Sequence, residues 1–498
     1  MADNHDATNS LRSWNQADGK EVKVTKLEPR PERRRRLLKQ CGLVCMASMG
    51  HISIGATLPW PSPALSDIAV NNATLVGTEI TLTSLQKDMT GSLVSLGYLF
   101  GAWIAGWIVS LLGRRRSLQV FVIPYLCGWL LNALAPNPEV LLFGRFVLGL
   151  ACGSTTVAAS SYVLELADAD VRGMMATMPT VGIVVGGLYT VGMGYALQWH
   201  HLALVCAVPP ILLLIITFFL PSSPSFLVIH GRRQHALQIL RKLRGPYADI
   251  EEEVSDLERK NLSSIADGQV GWRAILKPDV LKKVAVLVIL FFFQQLCGNY
   301  VFMIMTARVL AAAGAPWDPD AATVVVAAIR VAGTLVAIFL LDYAGRKLSL
   351  IISHAINCMS LIILGLYVFL TDKASYDDDT YTRYNWVPLI CVLITMFVLN
   401  IGAHPVPFIL ATEYFPTNIR AQASSICFSS GTIFSFLSLQ LYSPMQEVMT
   451  QAGLYWFYAS NRCDDTISMK NSIASPRPYP VTGKKNGSVK GCKIIHCE

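Results

Sequence analysis

The chain has 498 residues, of which 53% are apolar and only 15% charged, well below the roughly one quarter usual for a soluble chain. Stretches such as 119–135, 174–199 and 351–370 contain no Asp, Glu, Lys or Arg, which excludes an ordinary soluble globular class. The net charge of +8 does not mark a nucleic-acid partner, because the basic residues flank apolar stretches.

Residues 1–37 form a polar tail ending in Arg33-Arg34-Arg35-Arg36, read as cytoplasmic. No cleavable signal peptide is expected there, so the first span must itself direct insertion. A helix needs about 20 apolar residues to cross the hydrocarbon core. Spans are predicted near 38–60, 91–113, 117–135, 139–163, 174–196 and 202–220, which make an N-terminal transmembrane half over 38–220. A polar, partly helical cytoplasmic linker follows over 221–283. A second transmembrane half, 284–460, has spans near 284–310, 321–342, 348–370, 386–410 and 422–444. A twelfth span is expected to be missing, because Gly453–Ser460 is too short to cross. Residues 461–498 read as a divergent polar tail, placed outside by this count. With the N-terminus inside, the outer loops carry only Lys87, Lys373 and Arg383, as the positive-inside rule requires. The sequon Asn72-Ala73-Thr74 then falls outside and marks Asn72 for glycosylation. The 12 cysteines lie mostly within apolar segments, without metal-ligand spacing; neither a metal nor a cofactor is expected.

Two internal matches relate the halves. Leu112-Gly113-Arg114-Arg115-Arg116-Ser117-Leu118 follows the second span, and Ala344-Gly345-Arg346-Lys347-Leu348-Ser349-Leu350 follows the eighth. Glu165 with Arg172 follows the fourth span, and Glu413 with Arg420 follows the tenth. Two six-span halves related as parallel repeats are a transporter architecture. The fold class is therefore an all-α membrane protein of the major facilitator type, with five full spans and a stub in its second half.

Gln294 and Gln295 lie mid-span, where an amide is costly unless it faces a cavity or a partner. An interhelical hydrogen bond and a contact to a polar solute are both open. Pro405 and Pro407 break the tenth span, either as a structural kink or beside a site. Arg330 lies near the middle of its span, where it either pairs with carbonyls or receives an anionic or strongly polar solute. His51, His354 and His404 read as neutral rings bonded to neighbours. Residues 40–59 contain no acid to carry a coupling proton, which favours passive uniport. No nucleophile–base constellation or phosphate loop appears, so an enzyme is not expected.

The chain resembles the sugar porters of the major facilitator superfamily, and within them the insect facilitated trehalose transporters. The matching residues are Gly144-Arg145-Phe146-Val147-Leu148-Gly149, Pro221-Ser222-Ser223-Pro224, Phe292-Phe293-Gln294-Gln295-Leu296-Cys297-Gly298, Asp342 with Gly345-Arg346-Lys347, and Pro405-Val406-Pro407-Phe408 with Glu413, Phe415 and Pro416. Ser62-Pro63-Ala64-Leu65 and Met178-Pro179-Thr180 point to the insect branch. The resemblance implies facilitated diffusion of a sugar, trehalose or a hexose, through a multi-pass plasma-membrane glycoprotein by alternating access. The partners implied are a small-molecule solute and the lipid bilayer, with no nucleic acid. A non-transporting sensor and a truncated inactive form are the alternatives.

The resemblance places substrate contacts at Gln294, Gln295, Tyr300, Arg330, Asn400, Phe408 and Thr180. Several depart from the family pattern. Asn is usual where Tyr300 and Arg330 stand, Glu at Asn400, Trp at Phe408, Gln at Thr180 and Asn-Trp at Gly431-Thr432. It also implies an inner latch of charges pairing across the halves: Arg114, Arg115, Glu165, Arg172, Asp342, Arg346, Glu413 and Arg420. Ser110 stands where the family has an acid, and Pro221–Ser225 lacks the usual charges. A weakened latch predicts an inward bias.

Overall fold

The computed structural model describes residues 29–472, apart from 169–170, 172–174, 176, 247, 269–275, 314–317, 374–383 and 416–418. Each predicted span is helical. In the first half these helices are α1 (Arg30–Thr57), its outer continuation α2 (Pro61–Val70), α3 (Ser84–Leu112), α4 (Arg114–Ala133), α5 (Pro138–Leu166), α6 (Met178–Gly194) and the sixth span, broken into α7 (Trp199–Cys206) and α8 (Val208–Thr217). The linker forms α9 (Pro224–Ile229), α10 (Arg233–Arg244) and α11 (Ile250–Gly268). In the second half the seventh span is α12 (Pro278–Leu296), α13 (Asn299–Ile304) and α14 (Thr306–Ala312). It is followed by α15 (Pro319–Ala344), α16 (Arg346–Lys373) and a tenth span of α17 (Val387–Val398), a π turn (Leu399–Ala403) and α18 (Pro405–Glu413). The chain then forms α19 (Arg420–Gln440) and α20 (Tyr442–Ser472).

Among the described residues, 7 helical stretches are long and apolar enough to cross a membrane, or up to 8 if the bent pair 423–440 and 442–462 is one span. Others fall short for visible reasons. The seventh span is broken at Gly298, α4 begins with three arginines, and α6 has only 17 residues.

Local chemistry sets the helix ends. Thr83 and Gln86 form a capping box at the start of α3, and the Asn137 side chain caps α5 ahead of Pro138. The repeat read from sequence recurs in the backbone. Gly113 (φ 77°, ψ 161°) joins α3 to α4, and Gly345 (φ 79°, ψ 155°) joins α15 to α16. Both occupy the left-handed region that favours glycine, each directly before the basic residues that start the next helix.

The first half owes its tight packing to paired glycines. A Cβ on Gly101 would lie 2.1 Å from the Leu150 carbonyl oxygen, and one on Gly153 would lie 2.0 Å from that of Tyr98. The Gly-xxx-Gly faces of α3 and α5 therefore let backbone meet backbone, as small-residue stripes do in membrane bundles. Buried Arg145 locks this half further. Its Nε donates to Thr90 O at 2.8 Å, one terminal nitrogen donates to Thr57 O at 3.0 Å, and its guanidinium lies over Trp60.

The linker packs onto the end of the first half predicted to be inner. Leu227, Leu240, Ile250 and Val254 join Val44, Ala158 and Leu166 in one apolar cluster. Arg244 donates to the carbonyls of Leu166 and Ala167 and pairs with Glu253. These contacts satisfy C-terminal carbonyls of α5 that have no helical partner.

The segment Gly453–Ser460, read as too short to cross, and the start of the tail read as divergent lie within one longer helix. α20 turns at Thr450, the one described non-glycine with positive φ, and then runs on to Ser472. Tyr455 and Tyr458 enter the core of the second half. Arg462 is fully buried and donates to Cys297 O and Asn299 Oδ1, both at 3.0 Å. The break in the seventh span supplies acceptors that hold this polar residue, and composition alone hid that role.

Candidate functional site

The halves meet chiefly where α3 packs against α19 and α6 against α15. Along α3 and α19 the contacts run antiparallel. Ser92 pairs with Gln440 at 2.7 Å, Ser95 with Ser435 at 3.1 Å, and Trp103 donates to Ser429 at 3.2 Å. Arg308 on α14 forms an ion pair with fully buried Asp88 at 2.8 Å. The other carboxylate oxygen of Asp88 accepts from Ser443 N at 2.9 Å. The Ala307 amide donates to the Ser62 hydroxyl at 3.0 Å. The Asp88–Arg308–Ser443, Ser62–Ala307 and Ser92–Gln440 links sit on the side predicted to be outer and close it, while Ser95–Ser435 and Trp103–Ser429 continue the seam towards the opposite end. Sequence reasoning missed Asp88 and Arg308. The available signal was an acid and a base at the outer ends of apolar spans in different halves.

The seventh and tenth spans break opposite one another. Pro407 has no N–H for the carbonyl of Ala403, four residues earlier. Gln294 repairs the gap: its Nε2 donates to Ala403 O at 2.9 Å and to His404 O at 3.0 Å. The amide is thus an interhelical tie, and its Oε1 has no hydrogen-bond partner among the described residues. Gln295 Oε1 is buried and likewise without a partner. Its backbone carbonyl accepts from Ser438 at 2.8 Å. An unsatisfied buried acceptor costs about 1–3 kcal/mol and favours an arriving hydroxyl.

Beside the Gln pair, the centroid of the His404 ring lies 6.3 Å from that of Tyr300 and 5.7 Å from that of Phe408. Phe408 also meets Phe291 edge-on and stacks with Phe428. Across the seam, Tyr98 is within electrostatic range of Tyr300. Arg330, only 7% exposed, has Tyr300 and His404 within the same range and reaches toward Gly187 of the other half, whose added Cβ would lie 4.0 Å from Nη1. Tyr300, Arg330, Phe408 and Gln294 are therefore brought together.

Asn400 and Thr180 are not drawn into the cluster. Asn400 spends its amide N–H on Met396 O at 2.7 Å within its own helix. Thr180 lies in the first turn of α6, seven residues before Gly187 and so roughly 10 Å along the axis. His51 bonds Ser160 at 3.0 Å, as a neutral ring bonded to a neighbour would.

The latch residues that are described pair within a half. Arg114 Nε lies 2.9 Å from Glu165 Oε1, and Glu165 also accepts from Ser223. Arg115 donates to the carbonyls of Thr217 (2.8 Å) and Phe218 (3.0 Å), capping α8 instead of reaching across the seam. Arg172 and the side chains of Asp342, Arg346, Glu413 and Arg420 lie outside the described residues. Asn72 lies in the loop between α2 and α3, predicted to be outer, with its amide 3.4 Å from Glu79.

Comparison with known proteins bears on this arrangement. A family model described as "Sugar (and other) transporter" matches residues 66–463. A facilitated trehalose transporter Tret1 of Drosophila willistoni is 29% identical over 414 residues, 83% of this chain and 47% of that protein. The Tret1 of Apis mellifera ligustica is 28% identical over 417 residues, 83% of this chain and 81% of that protein. The chain thus spans about half the length of the fly relatives and most of the bee one. In structure, the inward open xylose transporter XylE from E. coli superposes with a TM-score of 0.72 at 18% identity, covering 88% of this chain and 98% of that one.

Proposed function

Because the chain belongs to the sugar transporter family and has the major facilitator fold of a multi-pass membrane protein, we propose that it carries a sugar across the plasma membrane by alternating access, as a facilitative uniporter. The observation that carries this reading is the closed outer seam above a cluster suited to a sugar. The Gln carbonyls offer acceptors to ring hydroxyls, and Tyr300 and Phe408 offer aromatic faces to the C–H surface. The printed names of the insect relatives support trehalose, and the resemblance of the sequence adds a hexose, so the reading covers a sugar of that kind without fixing its charge.

In this reading Gln295, Tyr300, Arg330 and Phe408 contact substrate, and Gln294 does so through its free carbonyl. Asn400 and Thr180 contribute only after the helices move. Arg114, Glu165, Arg172, Asp342, Arg346, Glu413 and Arg420 pair across the halves when the inner side shuts, while Arg115 holds the end of α8. The N-terminus is cytoplasmic and Asn72 carries a glycan outside. The lack of an acid in 40–59 supports uniport.

The test is uptake of labelled glucose, trehalose and polyols into proteoliposomes containing the full chain. Saturable uptake of a sugar, unaffected by an inward proton gradient, is expected. A sensor on the same scaffold is the second reading, favoured by Tyr300 and Arg330 standing where the family usually has amides. Solute-dependent thermal stabilisation without uptake would establish it.

A further inference from the structure

Arg330 poses a charge problem that a neutral sugar leaves unsolved. It is 7% exposed on α15, in the middle of a membrane span. Its guanidinium makes no hydrogen bond or ion pair with a described residue, and its Nε is buried without a partner. Charged groups on its own helix are remote: Asp320 is ten residues away, roughly 15 Å along the axis, and Asp342 is still farther. Tyr300 and His404 interact with it electrostatically and Gly187 lies beside its Nη1, and none of the three supplies a carboxylate. A buried cation without a counter-charge is costly, and a guanidinium fork fits a two-oxygen anion in bidentate fashion. Gly187 keeps a side chain out of the space next to that fork, where an added Cβ would lie 4.0 Å from Nη1. Tyr300 and Phe408 both lie close to His404 and offer aromatic faces to a sugar ring.

We infer that the transported solute is an anionic sugar, with its carboxylate or phosphate on Arg330 and its ring against Tyr300 and Phe408. The inference rests on the transport reading above and specifies the substrate class of the same site. The free carrier then holds an unbalanced positive charge that the bound anion neutralises. Net movement of the anion is opposed by an inside-negative membrane potential.

The experiment uses the full chain in proteoliposomes, with labelled D-glucuronate, glucose 6-phosphate, glucose and trehalose as probes. The expected result is uptake of at least one anionic probe, falling when the interior is made negative, while uptake of any neutral sugar is indifferent to potential. The two anionic probes separate carboxylate from phosphate recognition. Arg330→Asn is expected to lower the anionic-to-neutral uptake ratio about tenfold or more, as loss of a charge-assisted bond implies. Arg330→Lys, which keeps the charge without the fork, should fall between. A thermal-shift arm on the unaltered protein, glucuronate and glucose 6-phosphate against glucose, does not require any variant to fold. Uptake of glucose or trehalose with neither uptake nor stabilisation by the anions overturns the inference and leaves the transport reading standing. An unchanged anionic-to-neutral ratio in folded Arg330→Asn also overturns it. No uptake of any probe and no stabilisation by any probe overturns both.

Discussion

Arg308 and Asp88 sit 2.8 Å apart across the seam, joining the seventh span of one half to the second span of the other. Asp88 is fully buried and also accepts from the Ser443 amide, so three segments converge on one carboxylate. Breaking a buried pair by removing one partner leaves an uncompensated charge, which costs far more than losing an exposed pair.

Replacing Asp88 with Asn should therefore open the outer side. The partner Arg308 side chain keeps 22% exposure, so the penalty is expected to be moderate, about 1–3 kcal/mol. The readout is labelling of Ser95→Cys by a membrane-impermeant maleimide from outside, since Ser95 lies under the pair and touches Ser435. Labelling should rise in the Asp88→Asn background. Unchanged labelling would mean that the pair does not hold the seam.

The glycine contacts of the first half predict a sharp contrast. Gly153→Val would drive side-chain atoms into the Tyr98 carbonyl and should cost about 3 kcal/mol or more. Gly106→Ala, with nothing within 4 Å of its added Cβ, should change thermal stability little. Melting in detergent compares the two directly.

The tie between Gln294 and the tenth span calls for a double-mutant cycle. Gln294→Leu should destabilise the protein by about 1–3 kcal/mol, because the Ala403 carbonyl loses its donor. Pro407→Ala restores a backbone N–H four residues after Ala403. In that background the loss on Gln294→Leu should shrink. Strict additivity of the two melting shifts would contradict the repair role.

Restoring an acid at 110 tests the inner latch. Ser110 lies at the end of α3 predicted to be inner, and among the described residues its hydroxyl donates to Trp107 O at 2.7 Å. Ser110→Asp should lower cysteine accessibility from the cytoplasmic side by favouring the inner-closed state. Equal accessibility in both proteins would remove the latch argument for an inward bias.

The fold was readable because long uncharged stretches, the basic flanks and the Gly-Arg repeat all signal spans and their order. The coincidence of Gly113 and Gly345 in backbone angles gives that repeat a physical basis. The site was readable only in part. Gln294 and Arg330 declare themselves as costly mid-span polar residues, yet sequence could not decide between partner and solute. The structure gives them different situations: Gln294 donates to the tenth span, while the Arg330 guanidinium has no hydrogen-bond or ion-pair partner among the described residues. Asp88 and Arg308 were hidden because their 220-residue separation carries no local pattern. Arg462 was hidden because its acceptors arise from a helix break elsewhere in the chain.

Gln294 binds the carbonyl that Pro407 strands, so the broken seventh and tenth spans share one hinge pin. Bending either helix alone would strip the amide from Ala403 and leave a buried carbonyl bare. The two breaks are then a single mechanical degree of freedom, and closure around a solute should advance in both helices together.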